Sequence, residues 1–315
     1  MKIAVLDFAT IGLDLDLSPL DVIGERVVYE NSAPEEVAER IGDAEVVLIN
    51  KVKLNESNLA DAKNLKLICI FATGYDNIDV AYCRERGIAV CNVAGYSTQN
   101  VAQITIAMVM QIINRFPEYT GFVRDGSYSV SGIPNKLSPV YHEIYGKTWG
   151  IIGYGNIGKQ VGRVAEAMGC KLLVYKRTPE EGAPCVSLDE LLEKSDIISL
   201  HTPLNDSTRG LIGEKEIAKM KDGVIFINVA RGAVTDEKAV ADAVLSGKIG
   251  GLGVDVYSKE PFPVDHPFTQ IKELPNVCFT PHMAWGSYEA RVRCLDEIVL
   301  NIKDFQAGGR RSRVD

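Results

Sequence analysis

Seven cysteines are scattered through the chain (Cys69, Cys83, Cys91, Cys170, Cys185, Cys278 and Cys294), and no Cys-x-x-Cys pair occurs among them. An odd count without that spacing excludes a complete disulfide framework and a cysteine-based zinc site. The thiols are therefore expected to be reduced, mostly buried and cytoplasmic, and no metal is expected. Long apolar runs are also missing: nothing approaches the roughly 18 residues that span a bilayer. The opening Met1-Lys2-Ile3-Ala4-Val5-Leu6-Asp7-Phe8 is too short for a signal peptide and reads as a first strand. There is no excess of basic charge. With 34 Lys and Arg against 42 Asp and Glu, the net charge is -8, so neither nucleic acid nor a membrane is an expected partner. An anionic substrate must then be drawn in by local cations. Histidines are few as well; only four residues of that type are available for proton transfer near neutral pH.

What is present fits a two-domain globular protein: 315 residues, 46% hydrophobic and 24% charged. Apolar runs over 2–6, 27–30, 46–50, 67–71 and 88–91 alternate with helical patterns, one of them opened by Pro34. Such alternation predicts a parallel sheet with helices on both faces. Residues 101–113 are almost continuously apolar and too long for a strand, so they are expected to form a buried helix. Residues 121–145, rich in Gly, Ser, Pro and Tyr, read as an extended arm that packs on a second subunit. From Gly146 the alternation resumes, with strands expected at 149–152, 171–175, 196–200, 224–229, 251–256 and 277–280. Helices at 187–194 and 236–245 open with Ser187 and Asp236 in capping positions. Arg310, Arg311, Ser312 and Arg313 read as a solvated tail.

Gly153-Tyr154-Gly155-Asn156-Ile157-Gly158 fits G-x-G-x-x-G between an expected strand and an amphipathic helix. In that context the glycines allow a tight turn, close approach of a pyrophosphate and close helix packing, while the helix N-terminus offers free N–H groups. The motif therefore predicts a dinucleotide. The next strand ends in Lys176-Arg177-Thr178, where NAD enzymes place an acidic residue. Two cations and a hydroxyl, with no carboxylate beside them, favour the 2′-phosphate of NADP over NAD.

Reduction of a 2-keto acid needs a cation for the carboxylate and carbonyl, a proton donor, and a partner that orients the donor. His142 and His266 read as solvent-facing or structural, and His201 as lining the cofactor cleft. His282 follows Pro281 at the C-terminal end of an expected strand, the edge at which open α/β sheets bind ligands. Arg231 and Glu260 follow two further strands. Strand ends thus deliver a guanidinium, a carboxylate and an imidazole to one rim: Arg231 to bind substrate, His282 as acid/base, and Glu260 to hold its ring.

Together these stretches resemble the D-isomer-specific 2-hydroxyacid dehydrogenase family: Gly153 to Gly158, His201-Thr202-Pro203-Leu204, Asn228 to Gly232, Asp255 through Glu260-Pro261, and Thr280-Pro281-His282. The resemblance implies an α/β architecture with a Rossmann doubly wound parallel sheet, spanning 98–286. It also implies a smaller flavodoxin-like α/β substrate domain from 1–97 and 287–315, with the last helix, about 288–306, returning to it. Arg231 is implied to polarise the carbonyl, with His282 and Glu260 as acid/base and partner. His201, Thr202, Pro203, Ala230 and Asp255 are implied around the coenzyme, Asp255 near the nicotinamide carboxamide. The backbone N–H groups of Thr73, Gly74 and Tyr75 are implied on the substrate carboxylate and Lys51 in the substrate site, and a homodimer is usual. Within the family, Ala94-Gly95-Tyr96-Ser97-Thr98 and His282-Met283-Ala284-Trp285-Gly286-Ser287 resemble glycerate dehydrogenases (hydroxypyruvate reductases). A Trp285 indole near the substrate suits hydroxypyruvate/D-glycerate or glyoxylate/glycolate. The alternatives are a lactate or phosphoglycerate type of the same family, or a non-enzymatic NAD(H)-sensing protein. Formate enzymes place Gln where Glu260 stands.

Overall fold

Alternate residues of one apolar run must be buried on opposite faces if the run is a central parallel strand, because side chains alternate across the sheet. The computed structural model, which describes residues 1–315, shows this clearly in Val46–Ile49. Val46 and Leu48 join one apolar cluster, with Ala290, Cys294, Leu295 and Ile298 of the last helix. Val47 and Ile49 join another, with Ile41, Leu59 and Cys83. Each such side chain removed from water contributes about 1.5–3 kcal/mol.

The chain divides into two units, Met1–Ser97 with Trp285–Asp315, and Thr98–Ala284. The discontinuous unit is built on β1 (Lys2–Val5), β2 (Glu25–Val28), β3 (Val46–Ile49), β4 (Leu67–Ile70) and β5 (Ala89–Cys91). All are parallel, in the order β2-β1-β3-β4-β5. That is the flavodoxin-like order, with its switch point between β1 and β3. The helix Tyr288–Gln306 is capped by Ser287 Oγ, which accepts from Ala290 N. It buries Ala290, Cys294, Leu295, Ile298, Val299 and Ile302 within this unit.

The continuous unit carries β6 (Thr148–Ile152), β7 (Lys171–Tyr175), β8 (Ile197–Leu200), β9 (Val224–Asn228), β10 (Ile249–Val254) and β11 (Val277–Phe279). Its order is β11-β10-β9-β8-β6-β7, again all parallel. This is a doubly wound sheet in which the strand expected outside β7 is reduced to a single bridge, Val174 to Cys185. The chain reverses its winding between β6 and β8, which puts the residues after β6 at the switch point. The apolar run at 101–113 forms a helix, Thr98–Ile113, with Val101, Ala102, Met108, Val109 and Ile112 buried.

Three readings of the sequence need correction. The segment 121–145 is not wholly extended: helices Phe116–Arg124 and Ser127–Val130 form its first part, although neither buries a residue. The second strand lies at Glu25–Val28 rather than 27–30, because an edge strand that is largely exposed leaves little apolar pattern to follow. The C-terminal residues are not a solvated tail. Val314 N donates to Val90 O and Asn92 N to Ser312 O, and Arg313 pairs with Asp315, so they cover the open edge of β5. All seven cysteines are free, and five of them are buried.

Candidate active site

Neighbouring strands β9, β10 and β11 each end in a short polar loop on the same edge of the sheet. Beyond β9, buried Asn228 fixes the turn that carries the arginine. Its Oδ1 accepts from Ala230 N at 3.0 Å, and its Nδ2 donates to Arg231 O at 3.0 Å. Arg231 Nη1 donates to Ala230 O at 2.8 Å, which folds the half-buried guanidinium back over its own strand end. Beyond β10, Glu260 Oε1 accepts from Tyr257 N at 3.0 Å. Its other oxygen, Oε2, meets His282 Nδ1 at 2.6 Å. The Arg231 and Glu260 loops touch: a Cβ placed on Gly232 would fall on the Tyr257–Ser258 backbone, so only glycine fits beside Arg231.

Beyond β11, His282 adopts a left-handed backbone, φ 53°, which is rarely populated by a residue with a Cβ. The conformation is held by Asp255, a buried carboxylate at the end of β10. Asp255 Oδ1 accepts from Thr280 Oγ1 at 2.5 Å and Met283 N at 2.8 Å, and Oδ2 accepts from Ala284 N at 2.9 Å. Burial pushes the Asp255 carboxyl up, against the opposing pull of those donors. The structure therefore ties Asp255 to the His282 turn. A proton on Nδ1 is directed at Glu260, which sets the orientation of the His282 ring. The site thus sets an imidazole, held at Nδ1 by a carboxylate, and a guanidinium on adjoining strand ends.

The glycine turn sits at the sheet's switch point. Gly153 has φ 95°, and a Cβ there would strike the His201 carbonyl and Thr202 N, so β8's end closes against the turn. A Cβ on Gly158 would strike Gly153 O, whereas one on Gly155 would meet nothing within 4 Å. The helix Asn156–Ala167 starts at Gly155 without any side-chain cap, leaving its first N–H groups to a ligand. Open space above Gly155 and uncapped N–H groups fit a dinucleotide pyrophosphate. Tyr154, Asn156 and Ile157 occupy the same turn, with Thr202 and Pro203 following His201. Buried Ala230 belongs to the turn of Arg231. His201 Nε2 lies 2.9 Å from Ser199 Oγ, which also accepts from Trp149 Nε1. Burial pushes His201 down to about 3, so its ring is neutral and is no proton donor.

At the end of β7 the structure overturns one expectation. A carboxylate does stand beside the cations: Glu180 accepts from Lys176 Nζ and from Lys159 Nζ, each at 2.6 Å. These two ammonium groups hold the Glu180 carboxyl down to about 2. Arg177 and Thr178 are exposed in the same turn. Glu180 was missed because it lies beyond the strand end, in a turn whose return could not be read from spacing.

In the discontinuous unit, buried Asp7 follows β1 and accepts from Asn50 N, Lys51 N and Val52 N at 2.9, 2.6 and 3.0 Å. Asn77 Nδ2 donates to Val52 O at 2.7 Å, linking the Lys51 loop to the loop of Thr73, Gly74 and Tyr75. Thr73 Oγ1 donates to Val93 O at 2.9 Å. Trp285 meets Tyr96 edge-on with 6.3 Å between ring centroids. Sequence reading passed over Asp7 and Asn77, and it gave Asn228 no role of its own. The available signal was a polar side chain standing directly after an apolar parallel strand, as in Val5-Leu6-Asp7 and Ile227-Asn228.

Residues 106–284 match the family model described as D-isomer specific 2-hydroxyacid dehydrogenase, NAD binding domain. A hydroxypyruvate reductase of Blautia hydrogenotrophica is 39% identical, with 98% of this chain and 98% of that protein covered. A glycerate dehydrogenase of Methylorubrum extorquens is 36% identical, covering 100% and 99% respectively. Among solved structures, the D-lactate dehydrogenase of Aquifex aeolicus complexed with NAD and lactic acid superposes with a TM-score of 0.85. It is 30% identical, covering 100% of this chain and 99% of that one. No helix is long and apolar enough to cross a membrane. The chain is an α/β oxidoreductase with a nicotinamide coenzyme, and it belongs to the D-isomer specific 2-hydroxyacid dehydrogenase family.

Proposed function

We propose that the protein reduces a short polar 2-keto acid, hydroxypyruvate to D-glycerate or glyoxylate to glycolate, using Arg231, Glu260 and His282. The observation that carries this reading is the 2.6 Å pairing of His282 Nδ1 with Glu260 next to the Arg231 strand end. The Arg231 guanidinium binds the substrate carboxylate and draws electron density toward the keto oxygen. A coenzyme held by the glycine turn would supply the hydride that the carbonyl carbon needs. The π pair moves onto oxygen, which takes the proton from His282 Nε2, and the ring returns to neutral with Nδ1–H still on Glu260. The N–H groups of Thr73, Gly74 and Tyr75 are assigned to the substrate carboxylate, Lys51 to the substrate site, and the Trp285 indole to the polar end of a short acid. The names of the relatives support hydroxypyruvate.

For the coenzyme, the residues that would hold it are the glycine turn, Thr202, Pro203 and the β7 end. Lys176, Arg177 and Thr178 favour NADP(H), with Glu180 as an internal counter-charge. A homodimer is assigned to the segment 116–145. Its two helices bury nothing, and Phe116, Val123, Val130, Ile133 and Leu137 are all more than half exposed. A second copy of the same surface is the simplest cover.

The test is a panel of hydroxypyruvate, glyoxylate and pyruvate followed at the NAD(P)H absorbance band. Arg231→Ala and His282→Ala are expected to lower kcat/KM by roughly 10²- to 10⁴-fold while coenzyme still binds. Near-normal kcat/KM in either variant overturns the roles. Tight coenzyme binding by the parent without turnover of any acid would support a sensor instead.

A further inference from the structure

Glu237 is a buried carboxylate that the chemistry above does not use, and its side chain is only 9% exposed. It is the first residue of the helix Glu237–Leu245 and lies on the segment that continues from Arg231. Three groups converge on it. Ser258 N donates to Oε1 at 2.8 Å, Ser258 Oγ donates to Oε2, and His266 Nε2 lies 3.0 Å from Oε2. Ser258 belongs to the loop Tyr257-Ser258-Lys259-Glu260, whose ends are joined by the Tyr257 N to Glu260 Oε1 bond.

His266 has a definite tautomer. Phe268 N donates to its Nδ1 at 3.2 Å, so the ring proton sits on Nε2 and is donated to Glu237. The ring lies between Phe262 and Phe268, with centroids 4.9 and 5.0 Å away, and Tyr257 meets it edge-on at 6.3 Å. An imidazole packed this way cannot turn, so it fixes the carboxylate it serves. Ser258 N and the neighbouring Tyr257 carbonyl carbon are also the atoms on which Gly232 closes. The backbone of one residue is therefore gripped by Glu237 on one side and by the turn of Arg231 on the other.

We propose that Glu237, set by His266, is a positioning residue for catalysis: it holds the Ser258 backbone so that Glu260 stays on His282 Nδ1. Its effect passes through Glu260 and touches neither substrate nor coenzyme. The proposal rests on the assigned roles of Glu260 and His282. A carboxylate serves as anchor because the buried Glu237 and His266 must satisfy each other, and the two Glu237 oxygens accept both Ser258 donors as well as the imidazole.

The experiment is a double-mutant cycle between Glu237→Gln and Glu260→Gln in the full chain, with hydroxypyruvate as substrate. Glu237→Gln keeps the volume and one acceptor but loses one of the oxygens. It is expected to lower kcat about 10-fold, to leave KM within about twofold, and to leave the Kd for coenzyme unchanged. In the Glu260→Gln background the same change is expected to lower kcat less than twofold, because the partner it acts through is gone. His266→Asn is the second variant. Asn can still cap the turn at Phe268 but cannot reach Glu237, so a kcat loss in the same direction is expected from a chain that remains folded. A folded Glu237→Gln or His266→Asn protein with unchanged kcat overturns the proposal. So does a full 10-fold loss that persists in the Glu260→Gln background. If Glu260→Gln alone leaves kcat unchanged, the reading of Glu260 falls first.

Discussion

Residue by residue, the continuous unit uses burial to divide its histidines by task. His282 sits on a carboxylate at 2.6 Å, His266 is a buried wedge hydrogen-bonded to Glu237, and His201 is desolvated beside Ser199 with its Nδ1 buried and unpartnered. Because burial brings the folded-state value of His201 down to about 3, the unfolded chain takes up this proton first as pH falls. Its contribution to stability is intact above about 6.5 and is lost progressively between about 6.5 and 3, by about 1.4 kcal/mol per pH unit well inside that window. Between pH 7 and pH 5 the parent should therefore lose about 2 kcal/mol more unfolding free energy than His201→Gln. Gln can still bond Ser199 but does not titrate. Urea unfolding of both proteins at the two pH values measures the difference, and parallel losses would show that His201 takes up its proton without unfolding.

At the scale of the strand end and turn, the proposed preference for NADP(H) can be tested at the β7 connection. Lys176 and Lys159 each give an ion pair to Glu180, so a 2′-phosphate bound there would have to displace that carboxylate before it could use them. Glu180→Gln removes the competitor without removing a cation. It is expected to tighten NADPH by roughly tenfold, about 1.4 kcal/mol, and to leave NADH within twofold. Calorimetric titration of the protein with each coenzyme reads this directly, and equal changes for both would show that Glu180 faces no 2′-phosphate. The same turn shows what was and was not legible in the sequence. Gly153 to Gly158 and the cations after β7 could be read because they are contiguous and follow an apolar run. The His282–Glu260 pair could be anticipated because parallel strands end on one edge. Glu180, Asp7 and Glu237 could not be found that way. Each acts on a partner brought near only by the fold, such as Asp7 on the N–H groups of residues 50–52 or Glu237 on Ser258. The C-terminal residues were misread for the same reason: their charges suggest solvent, but the open edge of β5 supplies backbone partners.

For the molecule as a whole, the segment 116–145 is where the rules of a single folded chain are least satisfied. Helices of nine and four residues, Phe116–Arg124 and Ser127–Val130, are too short to be stable from backbone bonds alone. They gain little within the chain beyond local contacts such as Tyr119 against Tyr141, with ring centroids 5.7 Å apart. Val130 is 84% exposed and Leu137 71%, in a protein whose other large apolar side chains are mostly buried. A homodimer that covers this arm would remove that surface from water at about 25 cal/mol per Å². It also predicts which change separates the copies. Val130→Asp together with Leu137→Asp places two like charges per copy in the contact and is expected to shift the protein from dimer to monomer in sedimentation equilibrium. The sheet of the continuous unit, and with it coenzyme affinity, should be retained, since neither residue packs in its core. A parent that already sediments as a monomer, or a doubly charged variant that stays dimeric, would exclude this arm as the interface.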